Sequence, residues 1–336
     1  MKDTLIKDMS EAELKIWLSK NKVCFVTNTR CMPGSLYLAS LKTYIDKIPI
    51  HNFWIIPGER NGQPFYGVHT YMYMLDIMLQ LKKYDYVIYI DEDCFITDFN
   101  GLVEEFSKFK DSNCCLGGPQ DGGVFCHRNH SKYMINTFLC FWNIKMLIDK
   151  GLTAIDFKKY YGEKLEHQDT IYEDFLNDMS ANKSDLLLKI NENALKMIHE
   201  VSLYRKDNFP NNGETDYAQI VKNDKNNPIE PNQIPYTYKT EKGNFEPYYL
   251  VQEALIELTD TPIYYLFATD YYEAGQDKEK LDISGLTSAI YSTDNTHKLV
   301  AVHTWYSRAY TKWPNVQQQL DHTKRINTII KKFSKI

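Results

Sequence analysis

Uninterrupted apolar runs of membrane-spanning length are missing from this chain, and residues 1–20 are polar and charged without an apolar core. Neither a spanning helix nor a secretory leader is expected, and the chain reads as cytoplasmic. Excess positive charge is also lacking: 39 Lys and Arg stand against 44 Asp and Glu, a formal net charge of −5. The basic residues are scattered until the last turns, which argues against a duplex-binding footprint, and no nucleic-acid partner is expected. C-x-x-C pairs are absent among the seven cysteines at 24, 31, 94, 114, 115, 126 and 140. An odd count without framework spacing argues against a disulfide scaffold or zinc ribbon and for reduced thiols. Cys114, Cys115, Cys126, His127 and His130 lie close in sequence, yet their spacing matches no standard finger, and buried thiols with surface histidines are the preferred reading. Internal repeats and low-complexity segments are not seen.

Aromatic rings, by contrast, are abundant. The 336 residues include 25 Tyr, 16 Phe and 5 Trp, a stock that suits carbohydrate or base stacking as well as core packing. The chain is long enough to bury a substantial core in one large domain or two smaller ones.

The order of patterns points to an α/β fold. Ser10 and Glu13 have capping-box spacing before a short helix reaching about Ser19. Residues 23–27 form a compact strand pattern that opens into Asn28-Thr29-Arg30 and the turn signal Pro33-Gly34. Helical spacing over 35–45, a strand over 52–56, helical spacing over 65–83 and a strand over 86–90 follow. Such a β-α-β-α-β series of near-continuously apolar strands predicts a doubly wound, mainly parallel sheet that places ligands beyond the carboxyl ends of its strands. Later helices are predicted over 165–179, 184–199, 216–222 and 248–258, with a long loop, in the position of a lid, over 223–244. Residues 298–303 read as a strand and 316–336 as a helix whose end carries Lys331, Lys332 and Lys335.

The sharpest feature is Tyr89-Ile90-Asp91-Glu92-Asp93-Cys94-Phe95-Ile96. Three adjacent carboxylates repel one another and are costly to desolvate, so at the exit of a buried strand they imply a compensating cation or a set of donors. Mn²⁺ and Mg²⁺ are the hard ions such groups hold, commonly together with phosphate oxygens. On extended backbone, Asp91 and Asp93 would share a side and Glu92 would point elsewhere. A solvated helix cap is the bland alternative, and a D-x-D triplet alone is weak evidence.

In this context the block Tyr86-Val87-Ile88-Tyr89-Ile90-Asp91-Glu92-Asp93 resembles the D-x-D segment of GT-A fold glycosyltransferases. The resemblance covers about the first half of the chain and a short segment near the end. It implies a GT-A-like mixed, mainly parallel sheet flanked by helices, with a helical extension on the acceptor side. Residues 1–150 would be the nucleotide-sugar-binding half, 151–297 a mainly helical acceptor region, and 298–336 a strand with His303 and a terminal helix. By the same likeness Asp93 is the main metal ligand, Asp91 is shared between metal and donor ribose, and Thr27, Asn28 and Arg30 belong to a loop that holds the nucleoside. His303 would be the third ligand, with Arg308 or Lys312 neutralising the diphosphate.

The implied reaction moves a sugar from a nucleotide-sugar donor, a UDP-sugar by default, to a glycan or glycolipid hydroxyl, as in polysaccharide biosynthesis. An inverting reaction needs a base, for which Asp216 or Glu214 are the candidates; in a retaining one Asp216 would orient the donor sugar. Both residues also fit a helix N-terminal cap. Gly117-Gly118-Pro119 and Asp121-Gly122-Gly123 are expected to bring backbone close to the donor sugar, with two tight turns as the bland alternative, and 136–143 is expected as a core strand or an aromatic floor. The basic C-terminal end is a solvated helix end or a peripheral contact with anionic lipid. Two other functions stay open: a Mg²⁺-dependent sugar nucleotidyltransferase, although residues 26–34 hold only one Gly, and a non-catalytic carbohydrate-binding protein.

Overall fold

The structure, a computed structural model, describes residues 5–28, 34–56, 59–60, 63–64, 67–125, 130–165, 177–178, 184–208, 246, 248–271, 287–304 and 316–334. Its first helix, α1 (Glu11–Lys20), opens with the expected capping box: the Ser10 hydroxyl accepts from the Glu13 N–H at 3.4 Å, and Glu13 Oε2 accepts from the Ser10 N–H at 2.7 Å. Then come β1 (Val23–Asn28), α2 (Gly34–Leu41), β2 (Phe53–Ile56), a short hairpin of β3 (Glu59–Arg60) and β4 (Gln63–Pro64), α3 (Gly67–Leu81) and β5 (Tyr86–Ile90). Beyond these lie β6 (Cys94–Ile96), α4 (Phe99–Asp111), β7 (Leu116–Pro119), β8 (Leu139–Asn143), α5 (Ile144–Asp149) and α6 (Ala154–Leu165). The later elements are α7 (Asp185–Asn208), α8 (Tyr249–Thr259), β9 (Ile263–Leu266), β10 (Ala268–Asp270), β11 (Thr287–Tyr291), β12 (Leu299–Thr304) and α9 (Val316–Phe333).

The main sheet has the order β2-β1-β5-β8-β7-β9. β1 runs parallel to β2 and β5, β7 runs parallel to β9, and β8 alone runs against its neighbours. The sheet is therefore mixed and mainly parallel. Helices flank it because alternate strand residues bury on opposite faces. Phe25, Ile88 and Phe141 join Leu14 and Leu18 of α1 and Leu102, Val103 and Phe106 of α4, whereas Val26, Val87 and Trp142 join Tyr71, Met74, Leu75 and Met78 of α3. Burying each such side chain is worth about 1.5–3 kcal/mol. The arrangement is compatible with a Rossmann-like fold.

A second, antiparallel sheet has the order β10-β11-β12-β6. Since β5 belongs to the first sheet and β6 to the second, Asp91-Glu92-Asp93 is the junction between them. That junction is a turn, closed by the Cys94 N–H donating to the Asp91 carbonyl at 3.1 Å.

Among the described residues three strands occur within 151–297, where a mainly helical region was expected. β9 pairs with β7 from Leu116↔Ile263 to Pro119↔Leu266, so the central sheet draws on both sides of residue 150. The helices expected over 184–199 and 248–258 appear as α7 and α8. Those expected over 165–179 and 216–222, and the loop over 223–244, lie largely or wholly outside the described residues. α4 had no counterpart in the sequence expectations, although Phe99, Leu102, Val103, Phe106 and Phe109 recur at helical spacing and are all buried.

The glycines at 117 and 118 sit in β7 and serve packing, not a turn. A Cβ on Gly117 would meet the Phe109 ring at 2.8 Å, and one on Gly118 would meet Ile135 at 2.7 Å. Among the described residues, no helix is long and apolar enough to cross a membrane.

Candidate metal centre

Asp91 leaves the carboxyl end of β5, where its N–H donates to the Phe138 carbonyl at 2.8 Å. Its Oδ1 accepts from the Tyr89 hydroxyl at 3.2 Å and lies 3.4 Å from Asn28 Nδ2. Asn28, the last residue of β1, also donates its amide to the Tyr89 hydroxyl at 2.5 Å. Asn28 thus lies beside the acidic turn. Thr27 is fully buried, and strand alternation turns it to the other face of β1.

Asp93 is brought to His303 by the second sheet. β6 and β12 place Cys94 opposite His303, and the Thr304 N–H donates to the Asp93 carbonyl at 3.2 Å. As a result His303 Nε2 lies 3.1 Å from Asp93 Oδ1, both side chains being buried. The His303 ring is stacked on Phe138, with centroids 4.4 Å apart and planes 3° from parallel. α2 and the turn after it support the strand that follows the acidic residues: the Ser40 hydroxyl donates to the Cys94 carbonyl at 2.6 Å, and Thr43 Oγ1 accepts from the Ile96 N–H at 3.0 Å.

Asp91, Asp93 and His303 each offer a ligand atom, and those atoms lie within 4.8 Å of one another. They form the one such grouping of His, Cys, Asp and Glu among the described residues. Glu92 takes no part. It is buried, and its charge is felt instead by Tyr37 of α2, whose phenol is raised by burial first and by Glu92 second.

The surroundings bear the mark of the crowded carboxylates. Burial pushes the Cys94 thiol well above its ordinary value, with Asp93 and then Asp91 adding to the effect. A positive group that the sequence did not reveal answers this charge. Arg325, on the buried side of α9 with Ile326 and Ile329, donates to Thr287 Oγ1 at 3.0 Å. Burial lowers its pKa to about 10, and Asp93 opposes that shift. An arginine beside two isoleucines on an amphipathic helix was the available signal.

Of the other expected site residues, Arg30, Glu214, Asp216, Arg308 and Lys312 lie outside the described residues, as do Cys126 and His127. Cys114 and Cys115 are buried and their thiols are raised, first by burial. Phe141 and Trp142 are core side chains of β8, which settles 139–143 as a core strand.

No family model matches the sequence, and no curated protein matches it. Among solved structures the chain has a slight similarity to the crystal structure of A197 from STIV. The two share 16% identity over 38% of this chain and 67% of that one, with a TM-score of 0.28. A likeness of that size bears on neither the fold nor the chemistry of this chain.

Proposed function

We propose that this chain is a metal-dependent glycosyltransferase of the GT-A kind, moving a sugar from a nucleoside-diphosphate donor, a UDP-sugar by default, to a hydroxyl of a glycan or glycolipid. One observation carries the reading: Asp91, Asp93 and His303 offer ligand atoms within 4.8 Å of one another. They do so beyond the carboxyl end of the parallel strand β5, the end of an α/β sheet where ligands are received.

The donor set fits a divalent cation. Two carboxylates and an imidazole suit Mn²⁺, and the carboxylates suit Mg²⁺. When bound, such an ion supplies Lewis-acid stabilisation of the charge that develops on a leaving diphosphate. The chain's own residues hold the site in shape. Tyr89 and Asn28 fix the Asp91 carboxylate, Thr304 fixes the Asp93 backbone, and Phe138 fixes the His303 ring. Fixed donors of this kind need no reorganisation as charge develops. Arg325 adds buried positive charge on the Asp93 side. Asn28 at the β1 exit belongs to the nucleoside side of the reading, with Arg308 and Lys312 proposed for the diphosphate. Glu214 or Asp216 would take the acceptor proton if the reaction inverts configuration.

Calorimetric titration of the protein with UDP, with and without Mn²⁺ or Mg²⁺, tests this together with turnover of a panel of UDP- and GDP-sugars. The expected result is nucleotide capture that requires the ion, and consumption of at least one donor. Capture indifferent to both ions, with every donor left intact, would sink the reading.

A further inference from the structure

Asp121 is fully buried. Its Oδ2 accepts from the Tyr248 hydroxyl at 2.6 Å and the Tyr249 hydroxyl at 2.5 Å, and its Oδ1 accepts from Asn136 Nδ2 at 2.7 Å. A carboxylate so deep in the protein is tolerable because three donors surround it. The Asn136 amide has only one possible orientation. A carboxylate only accepts, so the NH₂ must face Asp121, and a backbone N–H only donates, so the carbonyl must face Phe138, whose N–H lies 3.1 Å from Asn136 Oδ1. Phe138 in turn meets both halves of the candidate metal centre: its carbonyl accepts from the Asp91 N–H at 2.8 Å, and its ring lies flat on His303 at 4.4 Å.

We infer that Asp121, Asn136 and Phe138 are positioning residues for the metal centre, forming a relay that runs from Tyr248 and Tyr249 at the start of α8 to Asp91 and His303. This rests on the metal-binding reading of Asp91, Asp93 and His303. Packing alone would require a phenylalanine-sized apolar group near His303. It would not require an amide whose two ends are matched to a buried carboxylate and to the one backbone N–H next to the stacking ring. A ligand imidazole whose ring plane is clamped, and a ligand carboxylate whose main chain is anchored by the same residue, keep their spacing when the cation is absent. Outer groups of this type commonly contribute about 10–100-fold in metal affinity.

The test uses Mn²⁺ alone as the probe, with free Mn²⁺ followed by electron paramagnetic resonance and the thermal midpoint recorded for every variant. Asn136→Ala and Phe138→Leu are each expected to weaken Mn²⁺ binding by about 10-fold or more. The double exchange Asp121→Asn with Asn136→Asp keeps every donor opposite an acceptor and is expected to restore wild-type affinity. Folded Asn136→Ala and Phe138→Leu proteins that bind Mn²⁺ as wild type does would overturn the relay. So would a double exchange that recovers the thermal midpoint without recovering affinity. Should Asn136→Ala fail to fold, Phe138→Leu and the exchange decide the matter. A wild-type protein that takes up no Mn²⁺ removes the reading of the site itself, an outcome distinct from the failure of the relay.

Discussion

The imidazole of His303 and the ring of Phe138 lie 3° from parallel at a centroid distance of 4.4 Å. The stack pins the plane of the imidazole while Nε2 faces Asp93 Oδ1 at 3.1 Å. A histidine held in this way has little freedom left to lose on taking a ligand, the main entropic cost of assembling a metal site from side chains.

Asp93→Asn keeps the shape of the side chain and removes its charge. Donor turnover is expected to fall by about 100-fold or more, the loss of roughly 3 kcal/mol of charge stabilisation, with little change in thermal midpoint. Wild-type turnover in this variant would remove Asp93 from the site. His303→Ala is expected to raise the Mn²⁺ concentration needed for half-maximal activity, and an unchanged metal titration would refute its role.

A ligand that binds only the folded state stabilises it by mass action. In saturating Mn²⁺, UDP at about 100 times its dissociation constant should add about 2.7 kcal/mol to the metal-loaded protein and raise the thermal midpoint. EDTA should reverse the gain, and UDP without the ion should give less. Equal shifts with and without Mn²⁺ would separate the nucleotide from the metal.

Much of this was legible in the sequence and some of it could not have been. The strands β1, β2 and β5 and the helix α3 announced themselves because runs such as Tyr86-Val87-Ile88-Tyr89-Ile90 are apolar on both faces, as buried parallel strands must be. Asp91 and Asp93 stood out against that background, and His303 at the end of a late strand was assigned from the resemblance. β10 and β11 escaped notice because Ala268-Thr269-Asp270 is short and polar, and its pairing is decided by Ser288 and Ala289, which are far away in sequence. The packing role of Gly117 and Gly118 was hidden because composition cannot tell a glycine that admits a ligand or a turn from one that makes room for Phe109 or Ile135.

Gly122 tests the packing beside Asp121. A Cβ there would approach the His130 carbonyl oxygen to 1.8 Å, and backbone cannot yield as a side-chain tip does. Gly122→Ala is expected to cost about 1–3 kcal/mol of unfolding free energy or more. Urea denaturation measures this, and a variant as stable as wild type would show that the close approach relaxes freely.

The thiols offer a test that does not depend on function. Cys24, Cys94, Cys115 and Cys140 are buried, and burial raises the pKa of each. The thiolate is the reactive form, so these four should resist alkylation at pH 8 in the native protein and react together once it is unfolded. Peptide mass mapping reads each site separately, and rapid native labelling of Cys94 would contradict its place behind the acidic turn.

Asp93 and Thr304, bonded through their main chains, stand 211 positions apart. At a synthesis rate of about 5–20 residues per second, β6 leaves the ribosome roughly 10–40 seconds before β12 can reach it. For that interval the acidic turn has no imidazole beside it, and its strand has no partner in the second sheet. A nascent chain therefore acquires its third candidate ligand long after the first two, and translation products that stop short of β12 would carry the carboxylates without the imidazole.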